Sequence, residues 1–172
     1  MTSQQKIKEV FSIFHDGSIS AWELKDGQLN LTINCLYLAE RISDNFEVFY
    51  LQLNNIEKLE FAIWPDQEDS TPPTILTDPK VFFDTDLEIL SGKLNDDCIE
   101  VSCAQHDTTA GYPGGELRLK ADNIVVFDQD RNEIPFEQLD ELCTAYWKAW
   151  KEHWDNYKKE QDSKKEGENK KS

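Results

Sequence analysis

The amino-acid sequence predicts an α+β protein, mainly antiparallel β, in which hairpins form a sheet or flattened barrel with a short N-terminal helix and a long C-terminal amphipathic helix. Three observations lead there. Alternating β-rich runs separated by turn-forming pairs fill the middle of the chain, Asp26-Gly27 being the clearest of those pairs. Residues 3–14 place Ile7, Val10, Phe11 and Phe14 at helical spacing. Near the other end Phe136, Leu139, Leu142, Cys143, Tyr146, Trp150, Trp154 and Tyr157 recur at threes and fours.

The length of 172 residues suits one domain with an interior large enough to fold without disulfides or metal. The expected division is a single β-rich domain over 1–160, closed by a helix at about 135–160, and a disordered charged tail over 161–172, where DSKKEGENKKS has no apolar residue. The sequence has no run of eighteen apolar residues, and MTSQQKIKEV lacks the apolar stretch of a secretory signal, so a cytoplasmic location is expected. Cys35, Cys98, Cys103 and Cys143 are widely spaced and read as reduced, mostly buried thiols.

Charge narrows the classes of partner. The net charge is −16; the segment from Lys158 onward carries +2, which leaves −18 upstream. Such a field opposes nucleic acid and anionic lipid and favours a cationic partner. No nucleic acid and no membrane are therefore expected as partners, and no cofactor motif is read in the sequence, so no cofactor is expected.

Ser3 is the expected N-cap of the first helix, and His15-Asp16-Gly17 ends it. Across Asp26-Gly27, pairing Lys25 with Gln28 sets Leu24 opposite Leu29, Trp22 opposite Leu31 and Ser20 opposite Ile33, leaving Glu23 and Asn30 on the polar face. FEVFYLQL and IEKLEFAIW, separated by Asn54-Asn55, read as a second hairpin with Leu59, Phe61 and Ile63 inward. Pro65–Pro73 reads as a loop. Strands are expected near Val81–Phe83, Leu87–Leu94 and Ile99–Ala104, followed by a pair, Glu116–Lys120 and Ile124–Phe127, joined at Ala121-Asp122-Asn123. Pro135 suits a helix start, and acids early with lysines late in that helix agree with its dipole.

Three segments invite chemical readings. His15-Asp16 resembles part of a phosphohydrolase metal site, but a helix-to-strand turn explains the tripeptide, with Asp16 bonding to backbone and Gly17 at positive φ. Asp128, Asp130 and Asn132 imitate the opening of a calcium loop, yet Ile134 and Leu139 stand where its Gly and bidentate Glu are required, so no metal is expected there. TTAGYPGGE lacks the Lys and Ser or Thr of a phosphate-binding loop and reads as a connection from which Tyr112 could contact a partner. No nucleophile signature such as GxSxG is present, and an enzyme is not expected.

Taken in order, FHDGSISAWELKDGQLNLTI, FEVFYLQLNNIEKLEF and LEILSGKLNDDCIEVSC resemble a family of small bacterial immunity proteins of polymorphic toxin systems, over residues 11–104. The family opens with Phe-His-Asp, here Phe14-His15-Asp16, before a hairpin; a later Leu-x-Phe-like strand matches Leu59-Glu60-Phe61. The resemblance implies binding and neutralisation of a cognate toxin without chemistry, and acidity suits a basic toxin domain. The leading expectation is thus a protein-binding module. Its candidate contacts are Asp66, Glu68, Asp69 and Tyr112. Competing expectations are a small-ligand binder or enzyme with a pocket at His15 and Asp16, or a homo-oligomeric structural protein, such as a homodimer through the Trp-rich helix.

Overall fold

The computed structural model describes residues 1–65, 72–96 and 98–169, with side chains through residue 159. In chain order the elements are α1 (Ser3–Ile13), β1 (Ser18–Lys25), β2 (Gln28–Asn34), α2 (Leu36–Ala39), β3 (Val48–Asn54), β4 (Lys58–Ile63) and β5 (Ile75–Leu76). There follow α3 (Pro79–Phe83), β6 (Leu87–Leu94), β7 (Ile99–Gln105), β8 (Gly114–Lys120), β9 (Asn123–Phe127), β10 (Glu133–Ile134) and α4 (Phe136–Asn169). The class is the expected α+β. All strand pairs are antiparallel, in one sheet of order β10-β9-β3-β2-β1-β6-β7-β8-β4-β5 that is not closed into a barrel.

The β1–β2 hairpin forms where Asp26 (φ 52°) and Gly27 (φ 76°) both enter the left-handed region, as a type I′ turn requires. Its expected register holds from Lys25↔Gln28 through Ala21↔Thr32. It then shifts, so that Ile19, not Ser20, opposes Ile33. An extra residue at Ser20 turns an apolar side chain inward where strict alternation would place a hydroxyl, and Ile19 is 3% exposed.

Two expected hairpins are absent. Asn54-Asn55 does not reverse the chain, and β3 pairs with β2 and β9 while β4 pairs with β8 and β5. Likewise β8 and β9 are not partners. Instead β3–β4 and β8–β9 are two bent strands running side by side: Tyr50↔Phe127 to Asn54↔Asn123 on one arm, Lys58↔Lys120 to Ile63↔Gly115 on the other. At the bend residues 55–57 face only residues 121–122, and the surplus is absorbed by Asn55 at φ 54°. Asn55 Nδ2 donates to Asp122 Oδ2 (2.7 Å), and the Ile56 N–H reaches the Gly27 carbonyl (2.8 Å), which fixes the bend against the tip of the first hairpin.

The sheet curls around α1, which packs on β6 and β7 near its middle and on β9 near one end. Ile7, Val10, Phe11 and Phe14 are fully buried there, and Phe14 meets Phe49 edge-on at 5.1 Å. The N-cap is Thr2, not Ser3; its hydroxyl accepts from the Gln5 N–H while the Gln5 side chain accepts from the Thr2 N–H. At Gly92 of β6 a Cβ would stand 2.5 Å from the Lys8 carbonyl, so glycine permits this close helix–sheet approach.

Val81–Phe83, expected as a strand, belongs to α3, capped by Asp78 with Pro79 at its first turn. The C-terminal helix meets α1 and α2. Phe136, Leu139, Cys143 and Tyr146 pack on the core. The helix extends to Asn169, and the expected tail 161–172 falls outside the described side chains, with residues 170–172 outside the described residues altogether.

Candidate functional site

His15 and Asp16 sit in the turn between α1 and β1. The His15 Nδ1–H donates to the Leu90 carbonyl, and Nε2 lies 3.2 Å from Asp16 Oδ1. The Asp16 N–H donates to the Ile89 carbonyl at 2.8 Å, and the Gly17 carbonyl accepts from the Ile89 N–H at 2.8 Å. The turn geometry corrects one detail. Asp16, not Gly17, has the positive φ (64°), whereas Gly17 is required for space, since a Cβ would come 2.9 Å from the Phe14 carbonyl and 3.0 Å from Ile33. The Tyr37 hydroxyl donates to the His15 carbonyl at 2.6 Å, so the histidine is fastened on both its backbone and its ring. This is the bonding of a structural turn. His106 is elsewhere, paired with Glu88, and His153 is exposed on α4.

Of the acidic loop candidates, Asp66, Glu68 and Asp69 lie outside the described residues. Tyr112 is not a projecting loop residue; it is half-buried, its ring 5.7 Å from Phe61, and its hydroxyl is buried without a partner among the described residues. The adjoining glycines serve packing: a Cβ on Gly114 would meet the Trp64 ring at 2.4 Å, and one on Gly115 the Ala62 carbonyl at 2.4 Å. In the Asp128–Asn132 segment, Asp128 Oδ1 accepts from the Asn132 N–H at 2.9 Å, closing a turn before β10.

Cys35, Cys98 and Cys103 are buried and Cys143 partly so. Burial pushes the Cys35 thiol up to about 12, partly offset by hydrogen bonding from Tyr37, and raises Cys103 and Cys143 in the same direction. Raised in this way, Cys35, Cys103 and Cys143 are held as thiols and are poor nucleophiles near neutral pH. An open trough of about 370 Å³ lies on the outer face of β1, β2, β3 and β9, where Arg131 stacks 3.3 Å over the Tyr50 ring among Glu23, Asn30, Thr32 and Gln52. None of its lining residues is His15, Asp16 or His106.

The most unusual surface is on α4. Beyond Tyr146, whose ring lies 4.4 Å from Tyr37 and beneath Arg41, the helix loses its cover. Trp147, Trp150, Trp154 and Tyr157 are 37%, 49%, 44% and 46% exposed. Their rings form a continuous row, with centroids 5.9, 6.0 and 5.6 Å apart. The body anchors one end of the row, where Trp147 stands 6.2 Å from Tyr37 and 6.4 Å from His15. Lys158 Nζ lies 5.7 Å from the Trp154 ring. The repeat of threes and fours was visible in the sequence, but the aromatics fill more positions than one buried stripe needs, and only the packing shows which of them remain outside. No described helix is long and apolar enough to cross a membrane.

Comparison of the chain with family models, curated proteins and solved structures yields no match.

Proposed function

We propose that the protein is a protein-binding module and that the aromatic face of α4 is its principal contact. The observation that carries the reading is the row Trp147, Trp150, Trp154 and Tyr157, each more than one third exposed and held in register by its neighbours. Trp and Tyr dominate interface hot spots, because a large rigid ring gives much contact area for little lost side-chain freedom. Several such rings on one helix face form an apolar patch of the kind that marks association surfaces.

The specific form we propose is neutralisation of a cognate toxin, as the resemblance of residues 11–104 to bacterial immunity proteins implies. The −16 net charge supports that form, since an acidic inhibitor captures a basic target rapidly by electrostatic steering. The proposal involves no bond-making step.

The test is co-purification of the full chain from its native cells with identification by mass spectrometry, run beside a Trp150→Ala/Trp154→Ala double variant. One protein recovered repeatedly in near-equal amount, and lost from the variant, is expected. Repeated recovery of no partner, or equal recovery by the variant, overturns the reading.

A further inference from the structure

We infer that the aromatic row receives an amphipathic helix of the partner protein, laid along α4 with acidic residues on the edge that faces Lys151 and Lys158; this rests on the protein-binding reading above. The first ground is spacing. Cys143, Trp147, Trp150, Trp154 and Tyr157 are separated by four, three, four and three residues, the alternation of a coiled-coil seam. At 100° per residue the four rings span an arc of about 80°, narrower than the broad apolar face with which a helix packs on a sheet or lies in a lipid interface. A narrow seam of large side chains matches the ridge of another helix.

The second ground is charge. Lys151 and Lys158 fall about 60–80° from the centre line of the row, on the same side, while Glu152 and Asp155 lie roughly 120–180° away, toward the back. His153 borders the opposite side. The cationic edge is local, because upstream of Lys158 the chain carries −18 overall. A partner helix bearing Glu or Asp along the matching edge gains flanking ion pairs of the kind that set choice of partner in paired helices. A second copy of α4 would instead bring lysine edges together when antiparallel. When parallel it would bring Lys158 against His153, so self-pairing is the poorer match. An anionic membrane would satisfy the lysines but not the narrowness of the row.

The test uses the full chain and labelled synthetic helical peptides with leucine and isoleucine at seam positions and either glutamate or lysine at every flanking position, with binding read by fluorescence anisotropy. The glutamate-edged peptide is expected to bind about tenfold more tightly than the lysine-edged one at low salt, the gap narrowing as salt rises. Trp150→Ala/Trp154→Ala should abolish binding of both. Equal affinity, the reverse preference, or no binding of either peptide overturns the inference. So does preferred co-sedimentation with phosphatidylglycerol vesicles, or a concentration-dependent dimer that the same double variant dissolves. If the peptides fail while the double variant still loses its co-purified partner, the edge assignment falls and the protein-binding reading stands; if the variant keeps that partner, the reading itself falls.

Discussion

Trp154→Ala and Leu139→Ala should separate the two halves of α4. Leu139 is fully buried in the core, and removing its three outer carbons leaves a cavity that neighbours fill only in part. A loss of about 2–5 kcal/mol is expected. Trp154 is 44% exposed, and its described ring contacts are with Trp150 at 6.0 Å, Tyr157 at 5.6 Å and Lys158 Nζ at 5.7 Å, each about one helical turn away. Pairs at that spacing contribute about 0.2–0.5 kcal/mol each, and alanine's better helix propensity returns a similar amount. The net change for Trp154→Ala is therefore about 0–1 kcal/mol, although the substitution removes the larger side chain. Urea unfolding followed by far-UV circular dichroism, with the slope checked for constancy, measures both. A Trp154→Ala loss above about 2 kcal/mol would show that the row is packed into the fold, and the argument for an uncovered binding face would collapse.

Three further outcomes follow from local geometry. Gly27→Ala should lower stability by about 1 kcal/mol because φ is +76° there with open space around it, whereas Asp26→Asn should be nearly neutral, asparagine tolerating the same region; urea midpoints decide. Gly17→Ala meets a backbone carbonyl at 2.9 Å that cannot swing aside, and it should lose about 1–3 kcal/mol in the same assay. The Cys35 thiol is raised from 9.0 to about 12, so folded and unfolded chains both keep its proton below pH 9. Between pH 9 and about 12 only the unfolded chain releases it, stability falls as pH rises, and Cys35→Ala should flatten that fall when unfolding is measured across the range.

The parts of the fold legible in sequence are those decided within a few residues. Asp26-Gly27 specifies its turn because both residues accept positive φ, and the two helices announce themselves by period, although the cap of α1 falls on Thr2, one residue before the expected Ser3. The bulge at Ser20 was not legible, since what decides it is the gain from placing Ile19 against Ile33 in an interior lined by a distant helix. The two missing hairpins failed for a related reason. Asn54-Asn55 suits any site that needs one left-handed residue, and the same chemistry serves a tight reversal or a bend in a continuing strand. The choice between them rests on partners some sixty residues away, Asn123 for Asn54 and Lys120 for Lys58. At the candidate site the aromatic spacing was readable, but exposure was not, because a row of rings at threes and fours describes a buried stripe equally well.

The placement of α1 explains why α4 can keep its rings outside. Most amphipathic helices beside a sheet are held there because the sheet's apolar face needs cover. Here that face is already occupied: Ile7, Val10, Phe11 and Phe14 fill the concave side, and the Gln4 side chain donates to the Ala121 carbonyl at 2.6 Å, tying α1 to the bend between β8 and β9. Among the described residues the first turns of α4 pack on α1 and α2. Beyond Trp147, which still meets Tyr37 and His15, the ring contacts described for Trp150, Trp154 and Tyr157 are with neighbours on α4 itself. Trp147, Trp150 and Trp154 each leave between one third and one half of their surface exposed, and covering that surface against another molecule would contribute about 25 cal/mol for each Å². On the proposed reading, Leu139, Cys143 and Tyr146 fasten the start of the helix to the body, and Trp150, Trp154 and Tyr157 beyond it are the surface that a partner would cover.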